Sequence, residues 1–175
     1  SPQKMYFKEE NTGWKNNIAR SKEFYAKHGK KMIHDKFPEY EDKIAVGIVG
    51  MGSDCFGFDD EISEDHDYDI GFCMWLTTEL YDEIGESLTL AYEDLLKEAG
   101  VDEKSYGRLA ERRGVCAIKD FYQEYLGTGY NLGKATYAYE DYQLSAVTNG
   151  EVFRDDLGEF TEVRNRLLEY YDDRI

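Results

Sequence analysis

From Trp14 to about Lys36 the apolar residues Ile18, Phe24, Tyr25, Met32 and Ile33 recur with helical spacing, which predicts a helix that Pro38 helps to end. "KIAVGIV" (Lys43–Val49) is a short apolar run bounded by turn residues and reads as a buried strand. A second buried strand is expected over "DYDIGFCMWL" (Asp67–Leu76). Between Glu79 and Ala99 a helical stripe runs through Leu80, Ile84, Leu88, Ala91, Tyr92, Leu95 and Ala99, and Gly100 closes it. "GVCAI" (Gly114–Ile118) reads as a third strand and "KDFYQEYLG" as a short helix after it. "GTGYNLGKAT" (Gly127–Thr136) is a Gly-rich loop, Tyr139–Asn149 a helix stopped by Gly150, and Phe160, Val163, Leu167 and Tyr171 mark a last amphipathic helix. This order predicts an α/β or α+β fold with a small mixed sheet and flanking helices. One domain is expected over 1–175, with an N-terminal helix at 14–36, a core at 43–126 and a C-terminal helical part at 137–175.

Composition narrows the partners. The formal net charge of -16 argues against a nucleic-acid backbone or an anionic membrane as direct partner, because both are held by Lys and Arg. A phosphate-bearing ligand would need divalent cations to offset that charge. Cys55, Cys73 and Cys116 show no paired metal spacing, so reduced thiols in a cytoplasmic protein are expected. No apolar run approaches the roughly 20 residues of a membrane span.

The chemistry concentrates between the first two strands. Asp54 to Asp69 holds eight carboxylates and then the chain turns apolar. A solvated acidic loop accounts well for Asp54, Asp59, Asp60, Glu61 and Glu64. It accounts poorly for Asp67 and Asp69, which open a run whose Ile70, Phe72, Met74 and Trp75 must be buried. On a strand, Asp65, Asp67 and Asp69 share a face with neighbours about 6.6 Å apart, a spacing that can bracket hard cations. An EF-hand calcium loop fails, because its sixth position needs Gly and holds Ile70, and its twelfth needs Glu and holds Leu76. Upstream, Met51-Gly52-Ser53 follows the first strand, and thirteen residues separate Ser53 from Asp67. Gly lets backbone approach a phosphate closely, and successive amides with a Ser hydroxyl can bind its oxygens.

A hydrophobic residue, Gly-Ser, a spacer of this length and two acids around one hydrophobic residue resemble the polymerase β-type nucleotidyltransferase superfamily. "GSDCFGFDDEISEDHD", together with "GEVFRDDLGEFTEVRNRL" (Gly150–Leu168), resembles an uncharacterised bacterial branch of it, a domain of unknown function. The resemblance runs from about Glu23 to the last helix. It implies a nucleoside triphosphate held by Gly52 and Ser53, and Mg²⁺ (or Mn²⁺) held by Asp67 and Asp69. An acceptor hydroxyl, on a small molecule or a protein, would attack the α-phosphorus. The spacer equally admits Asp65-His66-Asp67, the form the closer branch carries, so Asp65 is either an outer ligand or one of the true pair. Active members place a third carboxylate on a neighbouring strand, and Gly114–Ile118 has none. Asp120 reads first as the opening of a helix. A catalytically degenerate nucleotide- or metal-binding regulatory module is therefore the alternative. Members tend to continue into a further helical region, so a chain ending at Ile175 is expected to be a shortened or cut member. "RLAERR" (Arg108–Arg113) reads as an exposed helical face, and "GTGYNLGK" lacks the Walker spacing.

Overall fold

The computed structural model describes residues 18–50, 70–101, 114–127 and 141–174. Helix α1 covers residues 18–36, and its Tyr25–Gly29 turn is π-helical. The wide turn has a tertiary cause. The Phe72 ring lies so close to Gly29 that a Cβ there would come within 2.7 Å of it, and the same ring meets Tyr25 edge-on. α1 stops at Lys36, since Phe37 precedes Pro38 and is pushed out of the helical region (φ -132, ψ 50).

Four short strands form one mixed sheet in the order β3-β2-β1-β4: β1 (Ala45–Ile48), β2 (Cys73–Leu76), β3 (Gly114–Ala117) and β4 (Glu151–Arg154). β1 pairs antiparallel with both β2 and β4, and β2 pairs parallel with β3. The crossover between β2 and β3 carries α2 (Thr78–Glu98), whose first turn is capped by the Thr77 hydroxyl accepting from the Leu80 N–H. α3 (Ile118–Leu126) follows β3 directly; α4 (Asp141–Thr148) and α5 (Glu159–Arg174) flank β4.

Alternation along the strands sorts the core into two layers. Val46, Ile48, Phe72, Met74 and Leu76 pack with α1 and α2, through Phe24, Ile33, Leu80, Leu88 and Tyr92 among others. Ala45, Val49, Cys73 and Trp75 face α3, α4 and α5. There Trp75 stacks on Phe160 at 3.8 Å between centroids and 11° between planes, and Phe121 meets Trp75 edge-on. The expected mixed sheet with flanking helices is thus present. Among the described residues no helix is long and apolar enough to cross a membrane.

Two boundaries differ from the sequence reading. Of the strand expected over Asp67–Leu76, Asp67 to Asp69 lie outside the described residues, and among the described ones it begins at Cys73, because the Phe72 N–H is taken by the Tyr92 hydroxyl rather than by a neighbouring strand. The C-terminal part, read as helical, also contains β4. At the far end of β4, Arg154 binds both carboxylate oxygens of Asp156 and reaches Glu41. Next to it, Asp155 caps α5 by accepting from the N–H groups of Gly158 and Thr161 and from the Thr161 hydroxyl. The paired acids of the C-terminal segment therefore have structural work. Asp155→Ala should lower stability by about 1–2 kcal/mol, seen as an earlier denaturant midpoint with an unchanged slope.

Candidate functional site

One end of the sheet gathers the exit of β1 and the entries of β2, β3 and β4. Cys73 pairs with Gly114, and Ile48 with Glu151. The pairs Ala45–Trp75, Val46–Met74 and Gly47–Cys73 set the β1–β2 register, so the chain leaves β1 and enters β2 at this same end. The Cys73 thiol lies 4.0 Å from the Val49 carbonyl, so the two segments are still side by side just beyond the last strand pair.

Gly50 leaves the sheet with φ +103 and sits so near α3 that a Cβ would fall 2.8 Å from the Tyr125 hydroxyl. Its N–H donates to Asn149 Oδ1 at 3.1 Å. Asn149 lies in the α4–β4 turn, and the next residue, Gly150, crosses β1 closely enough that a Cβ would overlap the Ile48 carbonyl. Arg164 of α5 clamps this turn: its Nη2 donates to the carbonyls of Thr148 (2.9 Å), Asn149 (3.4 Å) and Gly150 (3.1 Å). A guanidinium satisfies the open carbonyls at a helix C-terminus and offsets the negative end of its dipole. Burial lowers the Arg164 pKa from its ordinary value, though from so high a starting point that it stays charged. Glu151, the first residue of β4, is ion-paired with Lys22 of α1 at 3.1 Å.

Gly52, Ser53, Asp65, Asp67 and Asp69 all lie outside the described residues, as do His66, Cys55 and "RLAERR". Ile70, the first residue after the acidic row, is half-buried against the α1–α2 layer. Among the described residues no three His, Cys, Asp or Glu side chains come together as a metal site. Asp120 stands exposed in the first turn of α3, beyond the C-terminal end of β3 and so at the other end of the sheet from Gly50. Burial, with Asp120, Glu124 and Cys73 adding to it, pushes the Cys116 thiol up to about 12, which leaves it protonated and a poor nucleophile at neutral pH.

Asn149 and Arg164 have no role in the sequence reading, and Gly150 enters it only as the stop of a helix, although "NG" before "EVF" also carries a turn signal.

A family model described as a domain of unknown function (DUF4037) matches residues 137–175. That stretch contains α4, β4 and α5, with Asn149 and the Arg164 contacts to its turn inside it and Gly50 outside. It overlaps the later of the two segments that carry the resemblance, and its description names no activity. No curated protein and no solved structure matches the chain.

Proposed function

We propose that this chain is a divalent-metal-dependent nucleotidyltransferase, moving a nucleoside monophosphate from a nucleoside triphosphate to a hydroxyl of a small-molecule or protein acceptor. The observation that carries the reading is the antiparallel β1–β2 pair, which brings the exit of β1 and the approach to β2 to the same end of the sheet. In sequence, Met51-Gly52-Ser53 directly follows the exit of β1, and the Asp65-to-Asp69 row directly precedes Ile70 on the way into β2. Three residues of chain reach about 10 Å, so covalent connection keeps Ser53 that near to Gly50 and Asp67 that near to Ile70.

In this reading the Gly52 amide and the Ser53 hydroxyl hold the terminal phosphates, and Asp67 and Asp69, with Asp65 beside them, hold the cation. Carboxylates are hard oxygen donors that suit Mg²⁺ or Mn²⁺. Bound there, the cation would neutralise phosphate charge that a chain of net charge -16 otherwise repels. The acceptor oxygen forms its bond to the α-phosphorus as the bond to the β-phosphate oxygen breaks, releasing pyrophosphate and a proton. The thiols of Cys73 and Cys116, which donate to main-chain carbonyls, fit a reducing cytoplasmic setting.

The test is thermal melting with ATP, CTP, GTP and UTP, each with and without Mg²⁺ or Mn²⁺. A rise is expected only when metal and nucleotide are present together. No rise with any of the four, under either metal, would sink the proposal. A second reading, a nucleotide-binding module without turnover, is favoured by the place of Asp120, at the wrong end of the sheet to serve as a third carboxylate. Pyrophosphate release with candidate acceptors separates the two.

A further inference from the structure

At the exit of β1 the Asn149 carboxamide uses one of its two polar atoms and leaves the other over. Its Oδ1 accepts the Gly50 N–H, and this fixes which way round the amide sits, because Nδ2 can only donate. Nδ2 is buried and has no hydrogen-bond partner among the described residues. The group is not loosely placed. Its own carbonyl and those on either side are held by Arg164, and Gln143, six residues earlier, donates to the Tyr125 carbonyl of α3. A buried donor without an acceptor is costly, and such a group in a rigid setting calls for an acceptor that the described residues do not supply.

We propose, resting on the nucleotidyltransferase reading, that Asn149 is a substrate-binding residue: Nδ2 donates to a phosphate oxygen of the bound nucleoside triphosphate while Oδ1 holds the Gly50 amide. Phosphate oxygens are acceptors only, as an amide donor requires. Gly50 lies two residues before Gly52, where that reading puts the terminal phosphates. A neutral donor also adds no charge to the balance between triphosphate, cation and acids.

Asn149→Asp separates the two roles of this side chain. It keeps the shape and the acceptor for Gly50 and replaces the donor by an oxygen. ATP with Mn²⁺ is titrated calorimetrically into both proteins, and each is melted without ligand. Without ligand Asn149→Asp should melt somewhat earlier than wild type, because its second oxygen brings charge into a buried place, while ATP affinity falls about ten- to a hundredfold, the value of one hydrogen bond to a charged group. The ratio between the two proteins should persist at about 1 M salt, where screening over about 3 Å removes longer-range repulsion by the new carboxylate. Asn149→Ala, lacking both atoms, should lose at least as much affinity and also melt earlier. It decides the matter if Asn149→Asp does not fold. If wild type binds and the substituted proteins bind within about twofold of it, Asn149 only holds Gly50; this inference fails and the nucleotidyltransferase reading stands. If wild type binds none of the four nucleotides with Mn²⁺, both fall.

Discussion

Asp67→Asn and Asp69→Asn should each abolish the metal-dependent rise in melting temperature that a nucleoside triphosphate gives the wild-type protein. At a nucleotide concentration about a hundredfold above Kd, binding adds about 2.7 kcal/mol of stability. In a domain of this size 1 kcal/mol moves the midpoint by about 2–4 °C, so the wild-type rise should be about 5–10 °C. An asparagine keeps the shape of the aspartate and loses the charge that makes it a ligand for a hard cation. Without the cation the phosphate charge meets the seven carboxylates that remain between Asp54 and Asp69 and is repelled. The ligand-free variants should melt no lower than wild type, because removing one of several like charges relieves repulsion. That combination, lost response with intact stability, distinguishes a ligand from a structural residue. Asp65→Asn completes the series: equal loss there with a normal response from Asp69→Asn would transfer the metal pair to Asp65 and Asp67. If Asp67→Asn and Asp69→Asn both respond like wild type, the metal assignment is wrong.

The parts of this fold that the sequence announces are those whose burial is periodic along the chain. α2 buries Leu80, Ile84, Leu88, Ala91 and Tyr92 of the expected stripe over twenty-one residues, but its last turn buries Leu96 where the stripe had Leu95, which is half-buried, and Ala99, which is exposed. Val46, Ile48, Met74 and Leu76 belong to continuous apolar runs. β4 has neither property. Glu151-Val152-Phe153-Arg154 is four residues long, half-buried throughout and at the sheet edge, so no face of it is marked by composition. It is a strand because β1 pairs with it, with an irregularity between Val46 and Gly47. The π-turn in α1 likewise answers to Phe72, forty-three residues beyond Gly29. The candidate site divides the same way. A strand followed by Gly-Ser and then by closely spaced acids is a local pattern that the sequence displays by itself, though its residues lie outside the described ones. The carboxamide that grips Gly50 comes from ninety-nine residues away, and only folding brings it there. Asp155 lay between: its spacing to Thr161 is local, yet its meaning depended on where α5 begins.

Gly150→Ala should be the most damaging single-methyl change in the described chain, and Gly158→Ala supplies its control. The two glycines have nearly the same backbone, φ +79 and φ +77, so each substitution carries the same conformational cost of about 1–2 kcal/mol for an L-residue in the left-handed region. Around Gly158 a new Cβ meets nothing within 4 Å. At Gly150 it would overlap the Ile48 carbonyl oxygen, approach the Ile48 carbonyl carbon at 2.9 Å and lie 3.2 Å from Val49 Cα. These are backbone atoms of the strand that leads to Gly50, and they cannot rotate away as a side-chain tip would. Relief requires β1 and the α4–β4 turn to separate, which breaks the Gly50–Asn149 bond and pulls the carbonyls from Arg164. The expected loss is at least about 4 kcal/mol, in the range reserved for disrupted cores and backbone clashes. Against a total stability of about 5–15 kcal/mol, part of the population would then be unfolded on mild heating. Gly158→Ala should move the midpoint by only about 2–8 °C. Similar melting of the two variants would mean that the turn and β1 are not in contact, and the place given to Asn149 beside Gly50 would go with it.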